Sequence, residues 1–107
     1  MKRGEVYWVN FEPATGGEIR KRRPAVIVSN DAANAAANRV QVVPLTSEVS
    51  RTYPWEAQVQ ILGRAAKAMA DQIRTVAKER VMDRAGTLTV GEMRAVERAV
   101  RLQLGLT

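Results

Sequence analysis

The chain has 107 residues, enough for a single domain, residues 1–107, with its own hydrophobic core. It has no Cys and no His, which excludes disulfides, thiolate metal sites and the imidazole that most often shuttles protons or binds metals. The net charge of +6 suits either a polyanion-binding protein or a soluble protein that is merely basic. No apolar stretch approaches the roughly 20 residues that span a bilayer, so we expect a cytoplasmic protein with no membrane partner.

The first third of the chain predicts two strands joined by a long loop. Residues 5–11, EVYWVNF, are β-branched and aromatic and predict a strand that is covered on both faces, because apolar side chains occupy both alternating positions. The loop over residues 12–23 is longer than most connections, and loops of that length are usually functional. Pro24 has no N–H to donate, so it belongs at the first residue of a second strand that continues over residues 25–29.

The middle of the chain predicts one short helix and three more strands. Asp31 is the expected N-cap of one or two helical turns that end at Asn38. A turn is expected at residues 63–67 and a short helical turn at residues 78–82. The three strands are predicted over residues 40–46, 56–61 and 69–76.

The C-terminal segment carries the clearest helix signal. Thr89 and Glu92 have the spacing of a capping box, and Gly105 is a fitting helix end. Glu97 and Arg101 are expected to pair on the solvent side. The buried stripe is predicted at Met93, Val96, Val100 and Leu104. Five short strands and a terminal helix predict an α+β fold, a small curved sheet or barrel with a C-terminal helix.

A cluster of cations and a pair of hydroxyls are the candidate functional groups. The basic residues 20–23 open the second strand, and Thr46 and Ser47 end the third, so neighbouring strands would bring them together around a phosphate. This clustering favours the polyanion-binding reading of the charge. The acids are scattered and the chain has no P-loop, so we expect neither a metal nor a cofactor. RNA cleavage by the substrate's own 2′-hydroxyl remains compatible, because it needs neither.

Each candidate has a role and an alternative. Arg22 or Arg23 would bind the phosphate oxygens through its guanidinium. The alternative is that the side chain is solvated or paired with Glu18. Thr46 would donate to another oxygen, or it is an ordinary strand residue. Arginine is a poor base, its pKa being above about 12, so Glu18 is the better acceptor for the 2′-hydroxyl proton. Trp8 is expected in the core, whereas Trp55 is the better candidate for exposure and base stacking.

Five segments together resemble the MazF/PemK family of toxin endoribonucleases. They are RGEVYWVNFEP at 3–13, GGE at 16–18, RRPAVIVSND at 22–31, VVPLTS at 42–47 and ADQIRTV at 70–76. The resemblance implies an SH3-like barrel, a homodimer, and metal-independent cleavage of single-stranded RNA to 2′,3′-cyclic phosphate and 5′-hydroxyl ends. It also implies a cognate antitoxin of the MazE kind, whose acidic segment covers the RNA groove.

The resemblance also assigns roles to individual residues. It implies that Arg23 and Thr46 are the catalytic pair, that Glu18 is a base, and that Asp71 lies where some relatives have an acidic active-site residue. Met69 stands where some relatives have a second arginine, which makes Arg23 the main cation. The residues that we expect to bind RNA are Gly17, Arg20, Lys21, Arg22, Ser47, Trp55, Asp71 and Gln72.

Two other functions stay open on the sequence. A CcdB-like poison of DNA gyrase would have the same fold and would bind gyrase without cutting RNA, but it should lack the RRP and PLTS segments. A non-catalytic barrel that binds nucleic acid would leave RNA whole.

Overall fold

A computed structural model describes residues 1–18 and 21–106 of the chain. Within these residues the structure has seven strands, two α-helices, and two short 3₁₀ turns at Ala70–Gln72 and Lys78–Arg80. The strands are β1 (Glu5–Asn10), β2 (Arg22–Ile27), β3 (Arg39–Thr46), β4 (Glu56–Ile61), β5 (Arg64–Met69), β6 (Arg74–Ala77) and β7 (Val81–Thr87). The helices are α1 (Asp31–Ala36) and α2 (Val90–Leu104).

The strands form one antiparallel sheet that curls into a half-barrel. Their order is β4-β5-β3-β2-β1-β7, and β6 pairs with the first half of β3. The two ends of this path approach each other, because a Cβ placed on Gly86 of β7 would lie 2.7 Å from Cδ1 of Ile61 in β4. A larger residue at position 86 would therefore require the Ile61 side chain to shift. This architecture confirms the predicted α+β class, a curved barrel with a C-terminal helix.

Apolar side chains are buried on both faces of the sheet. The inner cluster, which α2 covers, contains Val6, Val26, Val43, Leu45, Ala57, Val59, Ala66, Ala68, Val96 and Ala99, among others. The outer cluster, on the opposite face, contains Val9, Phe11, Ala25, Ile27, Val40, Val42 and Val76. Members of β1 belong to both clusters, so the prediction that this strand is covered on both sides is confirmed.

The C-terminal helix follows its sequence signals closely. Thr89 Oγ1 accepts from the Glu92 N–H at 3.1 Å, and Glu92 Oε1 accepts from the Thr89 N–H at 2.9 Å. These two bonds complete the capping box. Gly105 ends α2 with a φ of 69°, as predicted. Two details are wrong. Leu104 is 50% exposed, because the buried stripe ends where the helix runs past the sheet, and Glu97 pairs with Arg3 at 2.7 Å instead of with Arg101.

Two predictions for the middle of the chain are wrong, and one strand was not predicted. The segment 69–76 is not one strand, because Ala70–Gln72 form a 3₁₀ turn that separates β5 from β6. Residues 63–67 are not a turn, since β5 already begins at Arg64. The strand β7 was not predicted at all, because its polar, glycine-containing sequence VMDRAGT has no strand periodicity.

The cap of α1 is also displaced by one residue. Asn30, rather than Asp31, is the N-cap, and its side chain accepts from the Ala33 N–H at 2.8 Å. Asp31 instead accepts from the Arg3 N–H at 2.7 Å. The helix ends at Ala36, before the expected Asn38. In the described part of the chain, no helix has the length and apolar character needed to cross a membrane.

Candidate functional site

Arg23 and Thr46 come together at the end of the β2–β3 pair. Arg23 lies in β2 and Thr46 is the last residue of β3. The pairing of these antiparallel strands runs from Ile27–Val42 to Ala25–Pro44, toward the ends that carry the two residues. Both residues line one cavity of about 500 Å³. The two predicted phosphate-binding groups are therefore neighbours in space.

This arginine cavity combines apolar with cationic lining residues. The lining residues come from β1, β2, β3, β4 and β5 and from the turns at their ends. Its lining residues are Trp8, Arg22, Arg23, Pro24, Leu45, Thr46, Ser47, Ile61, Leu62, Arg64, Ala65 and Ala66. Three are arginines, and none of these described residues is a carboxylate. The cavity therefore favours an anion.

The hydroxyl of Thr46 is held in a defined position by the turn that follows β3. Its Oγ1 accepts from the Glu48 N–H at 3.2 Å, which directs the O–H hydrogen away from the backbone. The Glu48 carboxylate is engaged by the Ser50 hydroxyl and by the Ser50 N–H, and these bonds hold the pKa of Glu48 below its usual value. Thr46 is thus oriented to donate a hydrogen bond.

Lys67 is a further cation beside Thr46 that the sequence did not reveal. It is the cross-strand partner of Thr46 in β5. Its Nζ lies 3.0 Å from Glu56 Oε1 and donates to the Arg51 carbonyl at 2.6 Å. The side chains of Lys67 and Glu56 are only 8% and 7% exposed. The lysine thus fastens the β3–β4 loop to the sheet next to the site. A sequence prediction that placed a strand at residues 64–69 would have identified Lys67 as a neighbour of the site.

The β3–β4 loop also carries an aromatic pair. The rings of Tyr53 and Trp55 are stacked, with centroids 5.0 Å apart and an interplanar angle of 4°. The Arg51 guanidinium lies 5.2 Å from the centre of the Tyr53 ring. Trp55 is partly buried and Tyr53 is 39% exposed, so the more accessible ring belongs to Tyr53. Trp8, expected in the core, is only partly buried and lines the arginine cavity.

The remaining predicted residues form a second group, outside the lining of the arginine cavity. The Gln72 side-chain amide donates to the Gly17 carbonyl at 3.3 Å, which ties the β1–β2 loop to the 3₁₀ turn after β5. Glu18, next to Gly17, accepts from the Thr15 N–H at 2.6 Å and is exposed, as is Asp71. The structure thus joins this loop to the Asp71–Gln72 turn but does not bring Glu18 into the cavity.

The basic loop is only partly described. Lys21 and Arg22 are exposed, and Arg22 lines the arginine cavity whereas Lys21 does not. Arg20 lies outside the described residues. Arg74, which carried no predicted role, has its guanidinium 5.5 Å from the centre of the Phe11 ring. Across residues 1–18 and 21–106, the acidic side chains form no group that could hold a metal ion.

Nearly the whole chain matches a known family of toxins. The model of the PemK-like, MazF-like toxins of type II toxin–antitoxin systems matches residues 2–104. The chain belongs to this family. It is 39% identical to the endoribonuclease MazF9 of Mycobacterium tuberculosis, over 99% of this chain and 98% of that protein. It is 30% identical to the endoribonuclease toxin MazF of Escherichia coli, over 95% of this chain and 92% of that protein.

Solved structures of MazF-like toxins have the same fold. The crystal structure of MazF from Deinococcus radiodurans superposes with a TM-score of 0.87 at 28% identity, over 98% of this chain and 96% of that one. An endoribonuclease in complex with its cognate antitoxin, from a mycobacterial species, superposes with a TM-score of 0.85 at 29% identity, over 100% and 97% of the two chains. The predicted MazF/PemK resemblance is confirmed, and the RNA-cleaving hypothesis is favoured over a CcdB-like gyrase poison.

Proposed function

We propose that this MazF-like toxin endoribonuclease cuts single-stranded RNA without a metal ion, at the arginine cavity. One observation carries the proposal. Arg23 of β2 and Thr46 of the neighbouring strand β3 line one cavity that has three arginines and no carboxylate among its described lining residues. A phosphodiester in this position would meet a guanidinium and a hydroxyl donor together.

The reaction needs no nucleophile from the protein. The RNA 2′-hydroxyl loses its proton and its oxygen attacks the adjacent phosphorus, while the bond from phosphorus to the 5′-oxygen breaks. The departing 5′-oxygen takes up a proton from water, so the products carry a 2′,3′-cyclic phosphate and a 5′-hydroxyl. Arg23 stabilises the additional negative charge on the phosphorane through its two-pronged donor set. Thr46 donates to another phosphoryl oxygen. The Thr46 oxygen already accepts from the Glu48 N–H, so this donor is oriented toward the cavity without rearrangement, which is the arrangement that lowers a barrier most.

Glu18 is our candidate for the group that accepts the 2′-hydroxyl proton. Its loop is tied through Gly17 to Gln72, although the carboxylate itself accepts from the Thr15 N–H in the absence of RNA. Proton acceptance therefore requires Glu18 to exchange this bond for one to the substrate, as catalytic hydrogen bonds often do on substrate binding.

The partners in this proposal are single-stranded RNA, a second copy of the chain, and an acidic antitoxin. An acidic antitoxin segment would complement the arginine cavity and exclude RNA, and a mycobacterial relative of the same fold has been solved with its cognate antitoxin. Lys21, Ser47, Trp55 and Asp71 would contact RNA beside the cut. A cytoplasmic location follows, since the RNA substrate is there.

The direct test is cleavage of a long RNA in excess EDTA, with analysis of the product ends. We expect discrete cuts with cyclic phosphate ends, and intact RNA or metal-dependent cleavage would contradict the proposal. Thr46→Val removes the hydroxyl and keeps the shape, so it should slow cleavage by about 10²–10³. Thr87→Val is the matched control, because Thr87 is an exposed residue at the end of β7 outside the cavity.

Glu18→Gln tests the base separately from the cavity. Gln can still accept from the Thr15 N–H, so the loop should keep its conformation, but it cannot take up a proton. We expect a lower kcat and loss of the acidic limb of the pH–rate profile. A reduced rate with an unchanged pH profile would assign the proton to another group.

A further inference from the structure

The tight turn between β4 and β5 contains a conformation that its sequence does not favour. Leu62 and Gly63 are the two residues that connect Ile61 to Arg64, and both have positive φ, 54° and 73°. A two-residue hairpin with both φ positive is the type I′ turn, whose preferred sequence is Asn-Gly. Gly63 fits it, whereas a leucine pays a steric cost in the left-handed region. Residues held in such conformations concentrate at functional sites.

The same leucine is also exposed. Leu62 is 60% accessible, although an apolar side chain of this size would gain by burial. It lies at the lip of the arginine cavity, which Trp8 and Pro24 also line. Two unfavourable features, the backbone conformation and the exposed side chain, thus coincide at the rim of one cavity. An occupant that covers Leu62 would account for both.

The composition of the cavity indicates what that occupant is. The lining contains apolar side chains and an indole together with the three arginines Arg22, Arg23 and Arg64. A ligand that matches both is planar, apolar on its faces and joined to phosphates. Unpaired bases in RNA stack on aromatic side chains, and each is flanked by two phosphates. The volume of about 500 Å³ falls within the range of ligand pockets.

We propose that the arginine cavity is a nucleobase pocket, in which one unstacked base beside the scissile phosphate lies between Trp8 and Leu62. Arg64 and Arg22 then bind the phosphates that flank this base. The inference rests on the proposed function, because Arg23 and Thr46 line the same cavity and fix where the cut phosphate lies. The pocket contributes to the choice of cleavage sequence, since only the base that fits it brings its phosphate to Arg23.

Leu62→Asn is the decisive variant, because it separates stability from RNA recognition. Asn restores the preferred Asn-Gly turn, so the melting midpoint should rise by about 4–8 °C. The same change removes the apolar lip, so cleavage should be slower. Leu106→Asn is the matched control: it is 67% exposed and bonds through its N–H to the Arg101 carbonyl. Arg101 lines a different cavity at the far end of β2.

The measurement uses the oligoribonucleotide that the wild-type protein cuts, with one base at a time replaced by an abasic ribose. One position next to the cut should lower kcat/KM of the wild type by about 5- to 150-fold, the range for loss of a stacked base. In Leu62→Asn that penalty should be smaller, and in Leu106→Asn it should equal the wild-type value. Equal penalties at every position in wild type and Leu62→Asn would overturn the proposal.

Trp8 provides an independent readout in the folded protein. Trp55→Phe leaves Trp8 as the single tryptophan, since the chain has two. RNA with a 2′-deoxyribose at the cut lacks the nucleophile and stays intact. Its binding should quench Trp8 emission, and the abasic analogue should bind without quenching. Unchanged emission at saturating RNA, with binding followed by anisotropy, would contradict the pocket.

These experiments separate failure of the pocket from failure of the proposed function. If Arg23→Ala abolishes cleavage but Leu62→Asn keeps every abasic penalty, only the nucleobase pocket is wrong. If Arg23→Ala cleaves normally, the proposed function is wrong. If Leu62→Asn weakens binding of the antitoxin and changes no abasic penalty, the cavity holds an antitoxin side chain, which overturns the nucleobase proposal.

Discussion

Two cavities lie at opposite ends of β2, and they differ in the charged residues that line them. The helix cavity, of about 320 Å³, is lined by Arg3, Val28, Glu97 and Arg101 among others. There Arg3 pairs with Glu97 at 2.7 Å and donates through Nε to the Val28 carbonyl at 3.0 Å. The arginine cavity instead gathers three cations with no carboxylate among its described lining residues. A carboxylate thus faces an arginine in the helix cavity, whereas the described lining of the arginine cavity contributes cations and no acid.

The difference shows that position, rather than the total of +6, decides which surface suits a polyanion. At the helix cavity even the nearby Asp31 is satisfied by the protein, since the Arg3 N–H bonded to it lowers its pKa. Satisfied charges contribute to the fold and have little to offer a ligand. Clustered cations are held together at a cost in repulsion, which an anionic ligand relieves.

The largest expected contrast is in cleavage. Arg23→Ala and Arg101→Ala remove the same side chain at the two ends of β2. We expect the first to reduce kcat/KM by about 10²–10³ or more, because a preorganised donor to the transition state is lost. The second should leave cleavage of the same RNA within about twofold. Comparable losses in both variants would mean that the two ends do not differ in function.

A second contrast concerns the ion pairs beside the two cavities. Lys67→Met leaves Glu56 buried without its cation and should lower the free energy of unfolding by about 3 kcal/mol. Arg3→Met breaks a pair whose side chains are about one-third exposed, so it should cost less than about 1 kcal/mol. Urea unfolding at pH 7 measures both. Adding Glu56→Leu to Lys67→Met should recover much of the loss, and failure to do so would point to packing rather than charge.

Glu92 gives a pH-dependent contrast. Its carboxylate accepts from the Thr89 N–H and, at 2.6 Å, from the Gln60 N–H. Burial raises the pKa of Glu92, but the two hydrogen bonds lower it by more. The pKa therefore lies below its usual value of 4.5. A lowered pKa stabilises the fold above about pH 4.5, and this stability is lost as the pH falls through the folded value.

Glu92→Gln should therefore cost about 1 kcal/mol at pH 7, because Gln has a single acceptor oxygen for two donors. The difference from wild type should shrink as the pH falls below 4.5. Thermal melts from pH 7 to pH 3 check this. A difference that stays constant with pH would mean that the charge of Glu92 contributes nothing.

The smallest expected effect is in the salt dependence of RNA binding. Arg22→Ala and Arg64→Ala should each lower the slope of log Kd against log salt by about 0.7, the value for one phosphate contact on a single strand. Arg101→Ala should leave the slope unchanged. Fluorescence anisotropy with the uncleavable RNA between 50 and 300 mM salt would resolve these slopes. An equal reduction by Arg101→Ala would show that RNA also reaches the helix cavity.

Sequence patterns predicted the elements whose chemistry is local. The apolar alternation of β4 and the Thr89–Glu92 cap of α2 depend on residues a few positions apart, so they were predicted correctly. The pairing of β2 with β3, which brings Arg23 and Thr46 to one cavity, was also predictable, because the two strands follow one another in the chain.

Long-range features were not predictable in the same way. The strand β5, RAAKAM, has weak strand propensity and is defined by its pairing with β4 and β3. The burial of Lys67 and the exposure of Leu62 follow from that pairing, so both were missed. The arginine cavity itself needs β1, β2, β3 and the β4–β5 turn in their final positions.

The central strand β3 exchanges partners along its length, and this has a consequence for synthesis of the chain. Its first half pairs with β6 and its last residues with β5, with Pro44 between the two stretches. The edge of β3 next to Thr46 is therefore completed by residues that the ribosome adds only after position 63. We expect nascent fragments that end before β5 to be harmless, so that a cell producing this toxin is exposed to it only when translation of the chain is nearly finished.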